Sequence, residues 1–285
     1  MRYRTATIDG LGVFYREAGD PSAPTLVLLH GFPTSSVAYQ ELMAELSDEF
    51  HLIAPDYPGF GHSSAPAAGE WEYTFDHLAD VVERLLDSLG ITTYAIYVHD
   101  YGAPVGFRLA LRHPERITGI VTQNGNAYEE GLTPFWEPFK KAWADDSSEA
   151  DTTALLGFYT EEATRWQYTH GVRDTSLVNP DKAALDQAVL DRPGSHAIQL
   201  ALFRDYATNP PQYPKWQEFL RTHQPPLLAV WGRHDEIFGP DGALAFARDV
   251  KDARVQLLDA GHFALETRGA QIAALVRDFL RRLSD

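Results

Sequence analysis

One stretch leaves this chain few folds to choose from: Thr93-Tyr-Ala-Ile-Tyr-Val-His-Asp-Tyr-Gly-Ala-Pro-Val-Gly-Phe-Arg-Leu-Ala-Leu-Arg112. Its first half, Tyr94 to Val98, is short, apolar and rich in β-branched and aromatic residues, as in a strand buried on both faces. Its second half places Val105, Leu109 and Ala110 at helical spacing, with Arg108 and Arg112 on the other side. Between the halves stand His99, Asp100, Tyr101 and Gly102, with no room for a loop. A strand that becomes a helix within two or three residues must turn sharply and push its apex residue outward. Here the apex is Asp100. Gly102, Ala103 and Gly106 keep the helix slim enough to pack on the sheet. On this segment alone Asp100 has two readings, an exposed reactive carboxylate or an N-cap, because Asp is among the best helix caps.

The remaining punctuation repeats the strand-then-helix pattern. Thr5 to Ile8 and Val13 to Arg16 flank Asp9-Gly-Leu-Gly12 as a hairpin. Thr25 to Leu29 is an unbroken apolar run ending in His30-Gly-Phe-Pro33, with a helix expected from Val37 to Leu46. His51 to Ala54 is the next strand, Phe75 to Leu89 the next helix, and Ile117 to Val121 a further strand. The pattern stops after Gln123-Asn-Gly-Asn126. No strand is legible from there to about Lys215, only aromatic-rich helical segments broken by Gly and Pro. It resumes with strand Pro226 to Trp231, a helix from Gly242 to Asp249, strand Val255 to Leu258 and a last helix from Gly269 to Leu283. Alternation of this kind predicts right-handed crossovers and a mostly parallel eight-stranded sheet flanked by helices. Residues 1–125 and 216–285 then form the α/β core. Residues 126–215 form a helical cap over the carboxyl edge of the sheet, where open α/β sheets bind ligands.

Composition narrows the partners. The chain has 285 residues, 44% of them hydrophobic, and 40 acidic against 24 basic side chains. That balance argues against nucleic acid or an anionic membrane surface as a partner. There is no cysteine, which removes disulfides and thiolate chemistry. The first residues lack the apolar core of a signal peptide, and no apolar run reaches the about 18 residues of a membrane span. A cytoplasmic protein, as monomer or homodimer and without cofactor or metal, is the expectation; the scattered histidines offer no paired metal-ligand spacing.

Three loops at strand ends carry polar residues that belong together. The first holds Asp100, the second is Trp231-Gly-Arg-His-Asp235-Glu-Ile-Phe238, and the third is Leu258-Asp-Ala-Gly-His262-Phe263. Each alone is explained by capping or loop packing, and Glu236 or Asp241 are alternatives to Asp235. Jointly, in the order nucleophile, acid, histidine, they resemble the triads of the α/β-hydrolase superfamily, with Asp100 where many members carry the serine of a G-x-S-x-G elbow. Gly61-His-Ser-Ser-Ala65 mimics a serine elbow, but no apolar strand precedes it.

Together with Asp56-Tyr-Pro-Gly-Phe-Gly-His-Ser63, the motifs His30-Gly-Phe-Pro33 and His99-Asp-Tyr-Gly102 resemble those of epoxide hydrolases and haloalkane dehalogenases, the aspartate-nucleophile branch. The resemblance covers essentially the whole chain and is weakest in the cap. It implies that Asp100 attacks carbon to give an alkyl ester, which a water activated by His262 hydrolyses while Asp235 orients the imidazole. It implies an oxyanion hole from the N–H groups of Phe32 and Tyr101; because the loop must turn tightly to aim an N–H there, a cis Phe32–Pro33 bond is expected. Such dehalogenases hold halide with N–H donors, and neither Tyr101 nor Phe32 supplies one from its side chain. An epoxide hydrolase, acting on a small neutral apolar epoxide, is therefore the first reading, and a haloalkane dehalogenase using the same triad the second. Epoxide hydrolases take two ring-opening tyrosines from the cap. Ser195 can cap a helix ending near Thr208, on which Ile198, Leu202 and Tyr206 share one face. Tyr168, in the last turn of a helix capped by Thr160, is expected to be the other, ahead of Tyr159. His30, Pro33, Tyr159, Trp136 and Phe203 are the expected substrate-binding residues. A ligand-binding protein that has lost turnover is a third reading, which the complete set of three polar residues disfavours.

Overall fold

The computed structural model describes residues 1–144 and 155–284. Eight strands form one sheet: β1 (Arg2–Ile8), β2 (Leu11–Ala18), β3 (Thr25–Leu29), β4 (His51–Pro55), β5 (Tyr94–His99), β6 (Ile117–Gln123), β7 (Leu227–Gly232) and β8 (Arg254–Leu258). They lie in the order β1-β2-β4-β3-β5-β6-β7-β8. β1, β2 and β4 pair antiparallel, and every other pairing is parallel. The mostly parallel, eight-stranded α/β-hydrolase-type sheet expected from the sequence is the one formed. Its register sets Leu29 beside Val98, Val98 beside Thr122 and Gln123 beside Val230. The loops leaving β3, β5, β6 and β7 therefore emerge at one edge.

The central strands are buried on both faces, which is why their sequences read as apolar runs and not as alternations. One face is covered by α2 (Phe75–Ser88) and α3 (Gly102–Arg112), the other by α1 (Gln40–Leu46) and the C-terminal helix Ala264–Ser284. In α2, Leu78, Val82, Leu85 and Leu86 share the inward stripe, and Thr74 caps the helix by accepting from the His77 N–H at 3.2 Å. Each such side chain, fully buried, stabilises the fold by about 1.5–3 kcal/mol.

Between β6 and β7 the described residues add no strand to the sheet. They form the helices Glu137–Ala144, Glu161–Thr169, Pro180–Leu190, Ser195–Asp205 and Tyr213–His223, with short turns between them; residues 145–154 of the expected insertion lie outside the described residues. Polar anchors tie this segment down. Arg108 of α3, 6% exposed, donates to Asn209 Oδ1 at 2.8 Å and to Asp76 Oδ1 at 2.7 Å. Asp205 accepts from the Phe75 N–H at 2.7 Å, and Lys182 pairs with Glu266 at 2.9 Å. Several boundaries differ from expectation: the helix expected to reach Thr208 ends at Asp205, with Tyr206 in the short turn that follows, and α1 starts at Gln40 and not at Val37. Gly194, at φ 85°, takes the N-cap, and Ser195 is the first helical residue, because the turn needs a backbone conformation that glycine adopts freely. The last helix begins at Ala264 rather than Gly269 and bends at Arg268, whose φ/ψ of −129°/20° is not helical.

Candidate active site

β5 ends at His99 and α3 begins at Gly102, so the turn falls on Asp100, which takes φ 50°. A left-handed non-glycine residue costs of order 1–3 kcal/mol and persists only when its surroundings hold it. The helix packs so tightly that a Cβ on Gly102 would lie 2.0 Å from the Leu29 carbonyl oxygen. Asp100 is 5% exposed and does not serve as a surface cap. Its Oδ1 accepts the Phe32 N–H at 2.7 Å, and the Tyr101 N–H also bonds the carboxylate. The Phe32–Pro33 bond is cis. Burial raises the Asp100 pKa, opposed by the His262 charge and the two N–H groups.

Asp235 and His262 arrive from the loops after β7 and β8. The imidazole Nδ1 donates to Asp235 Oδ2 at 2.8 Å, which leaves the Nε2 lone pair as a proton acceptor. Among the described residues Nε2 has no hydrogen-bond partner, and it lies 3.9 Å from Asp100 Oδ2, too far for a direct bond but close enough for both to face one water. Burial lowers the His262 pKa, yet the Asp235 charge and hydrogen bond, aided by Asp100, carry it above its usual value. Glu236 instead pairs with His170 at the surface, and Asp241 is exposed, so neither competes for the imidazole. Asn124, just past β6, was given no role by the sequence. The structure gives it work: at φ 48° it donates to Asp235 Oδ2 at 2.7 Å and accepts from the Gly232 N–H at 3.1 Å. Only its place after β6 could have signalled this.

Above Asp100 lies a cavity of about 30 Å³, lined by Phe32, Phe135, Trp136, Phe139, Phe158 and Phe203, with Gln167 among them. Trp136 and Phe203 are thus in the lining. Tyr159 stands behind it, its ring 6.0 Å from Phe32 and 5.4 Å from Phe203, and its buried hydroxyl has no partner among the described residues. Tyr206 stacks on Trp136 at 4.5 Å and faces Tyr101 at 5.9 Å. Its hydroxyl lies beside that of Tyr213, which receives Asn126 Nδ2 at 3.3 Å. Burial, then Tyr213 and the Asp100 charge, hold the Tyr206 phenol well above its ordinary pKa, so it stays protonated.

Three expected residues sit elsewhere. Tyr168 stacks on Phe263 at 4.1 Å and donates its hydroxyl to Asp186, away from Asp100. His30 is fully buried, donating from Nδ1 to the Gly31 carbonyl and accepting the Tyr57 N–H; burial depresses its pKa to about 4, so it is a neutral loop brace. Pro33 is buried and does not line the cavity.

The Tyr168 partner carries a prediction. Burial raises the Asp186 carboxyl to about 7, against hydrogen bonds from Tyr168 and Thr34. The folded value lies above the unfolded 3.8, so folding favours the protonated form. That contribution is complete below pH 3.8 and is lost as pH rises to about 7, at most about 4 kcal/mol. Asp186→Asn should therefore gain denaturant stability over the parent progressively from pH 5 to pH 8. A variant that instead falls further behind as pH rises would show that the ionised carboxylate is the stabilising form.

The chain matches the family described as alpha/beta hydrolase fold over residues 24–269. It is 48% identical over 268 residues to the uncharacterized hydrolase YNR064C of Saccharomyces cerevisiae, covering 93% of this chain and 92% of that one. It is 27% identical over 286 residues to a haloalkane dehalogenase of Mycolicibacterium paratuberculosis, covering 96% and 89%. In three dimensions it resembles the epoxide hydrolase VrEH1 of Vigna radiata with TM-score 0.76 and 21% identity, over 99% and 98% of the two chains, a likeness of fold. No helix among the described residues is long and apolar enough to cross a membrane. The chain belongs to the alpha/beta hydrolase fold family and is a hydrolase of that fold.

Proposed function

We propose that this protein is an epoxide hydrolase that converts a small neutral epoxide to a vicinal diol through an alkyl ester on Asp100, with residues 126–215 as the cap. The observation that carries the reading is the choice of donors around the carboxylate. Tyr159 offers a buried hydroxyl with no partner among the described residues, and Tyr206 a protonated phenol beside Tyr213. The nearby indole N–H groups are engaged: Trp136 Nε1 donates to the Ile237 carbonyl at 2.8 Å and Trp143 Nε1 to the Phe203 carbonyl at 2.9 Å. A departing halide needs free N–H donors, whereas an epoxide oxygen leaves as an alkoxide and needs a proton.

In the first step Asp100 Oδ2 attacks an epoxide carbon, the ring C–O bond breaks toward oxygen, and a tyrosine supplies the proton. If Tyr206 gives it, Tyr213 can turn its own O–H back and steady the phenolate. In the second step His262 Nε2 takes a proton from water, and the hydroxide attacks Cγ of the ester. The oxyanion is held by the Phe32 and Tyr101 N–H groups, and its collapse releases the diol alkoxide. That alkoxide takes the new carboxyl proton, and the imidazolium returns its proton to the tyrosinate. Epoxide and water are consumed, and diol is the product.

The dehalogenase reading is favoured by the 27% identical relative and uses the same carboxylate and imidazole. A panel of short epoxides and bromoalkanes, assayed for diol and for halide release, separates the two. On an active epoxide, a single turnover in isotopically labelled water with enzyme in excess should give unlabelled diol and place the label on the peptide bearing Asp100. Label in the first diol would mean that water attacks the substrate, and Asp100 would then be a base.

A further inference from the structure

Gln167 has no task in that reaction, yet it lines the reaction cavity. It lies on the helix Glu161–Thr169, is 7% exposed, and lines the space above Asp100 among the rings of Phe32, Phe135, Trp136 and Phe203. The amide makes no hydrogen bond to any described residue, and its atoms are not sealed into packing as the Tyr159 hydroxyl is. Together with its place in the lining, this leaves the amide free to meet a ligand in the cavity. An unpaired amide in apolar surroundings costs free energy that Leu or Met would not incur at the same volume. Its presence fits a ligand group that pairs with it.

The charge around it limits what that group can be. Asp100 is the sole charged side chain among the described residues of the lining. A carboxylate or phosphate on the substrate would share a low-dielectric space with Asp100 and meet no cation. An ammonium would pair with the nucleophile and blunt it. A hydroxyl or carbonyl oxygen is neutral, and a carboxamide can both donate to and accept from such groups. The small volume keeps that oxygen within a few bonds of the reacting carbon.

We propose that Gln167 is a specificity-determining residue that hydrogen-bonds a second, neutral oxygen of the substrate, which makes the preferred substrate a short hydroxy- or oxo-substituted epoxide rather than a hydrocarbon one. The reacting end of this assignment rests on the epoxide reading, whereas the amide contact does not. The test compares kcat/KM for butylene oxide and for the same epoxide with a hydroxyl on its far carbon. Wild type should favour the hydroxylated compound, and Gln167→Met should shrink that preference about three- to tenfold, the worth of one net hydrogen bond. A preference that is absent in wild type, or equal in both enzymes, overturns the proposal and leaves Gln167 holding only water. If wild type turns over neither epoxide, the epoxide reading fails, and the amide is judged by binding. Calorimetry on Asp100→Asn with butanediol and butanetriol should show tighter triol binding that Gln167→Met removes; equal affinities refute it.

Discussion

His262→Gln should leave an enzyme that alkylates itself and stops. The carboxylate needs no base to attack, so substrate mass should build up on the peptide containing Asp100, while hydrolysis falls about 10²–10⁴-fold with loss of the general base. Glutamine preserves a polar side chain between Asp235 and Asp100 but cannot take a proton from water. Intact-mass measurement followed by peptide mapping reads the outcome. A variant that neither turns over nor carries the adduct would remove Asp100 as nucleophile. The wild type should show the same adduct faintly at low pH. Hydrolysis requires neutral His262, whose pKa is raised above 6.5, so the ester should begin to accumulate as pH falls through that raised value and not only below 6.5.

The second large effect concerns the proton donors. Tyr159→Phe and Tyr206→Phe should each slow ring opening by roughly 10²–10³-fold, as the loss of one preorganised donor does elsewhere. Tyr168→Phe should do something different: it strips Asp186 of a donor and changes stability, with little change in the alkylation rate. Stopped-flow formation of the ester, measured beside denaturant midpoints, distinguishes the two behaviours. Rapid alkylation by Tyr159→Phe would return the role to another group.

The sheet was legible in the sequence because burial on both faces erases alternation, and β3 and β5 read as apolar runs with punctuated ends. Asp100, Asp235 and His262 could be picked out because each lies within a few residues of a strand's carboxyl end, and parallel strands deliver such residues to one edge. The helices of the insertion carry no comparable rule. Tyr159 and Tyr168 lie on either side of the same Thr160 cap, and spacing cannot say which hydroxyl turns inward. That depends on Asp186, 18 residues further along, which captures Tyr168. Asn124 escaped notice for a related reason, since its partners Asp235 and Gly232 are more than a hundred positions away.

The two oxygens of Asp100 are not equivalent: Oδ1 is pinned by the Phe32 N–H, while Oδ2 stands open toward His262. On the proposed route the carboxylate leaves with one of its own oxygens and is repaired with one from water, always at the open position. The pinned atom stays as a permanent part of the protein, and the open one is a replaceable part renewed at every cycle. Each diol would then carry off the oxygen that water delivered in the turnover before it, so the enzyme hands its product the solvent of its previous cycle.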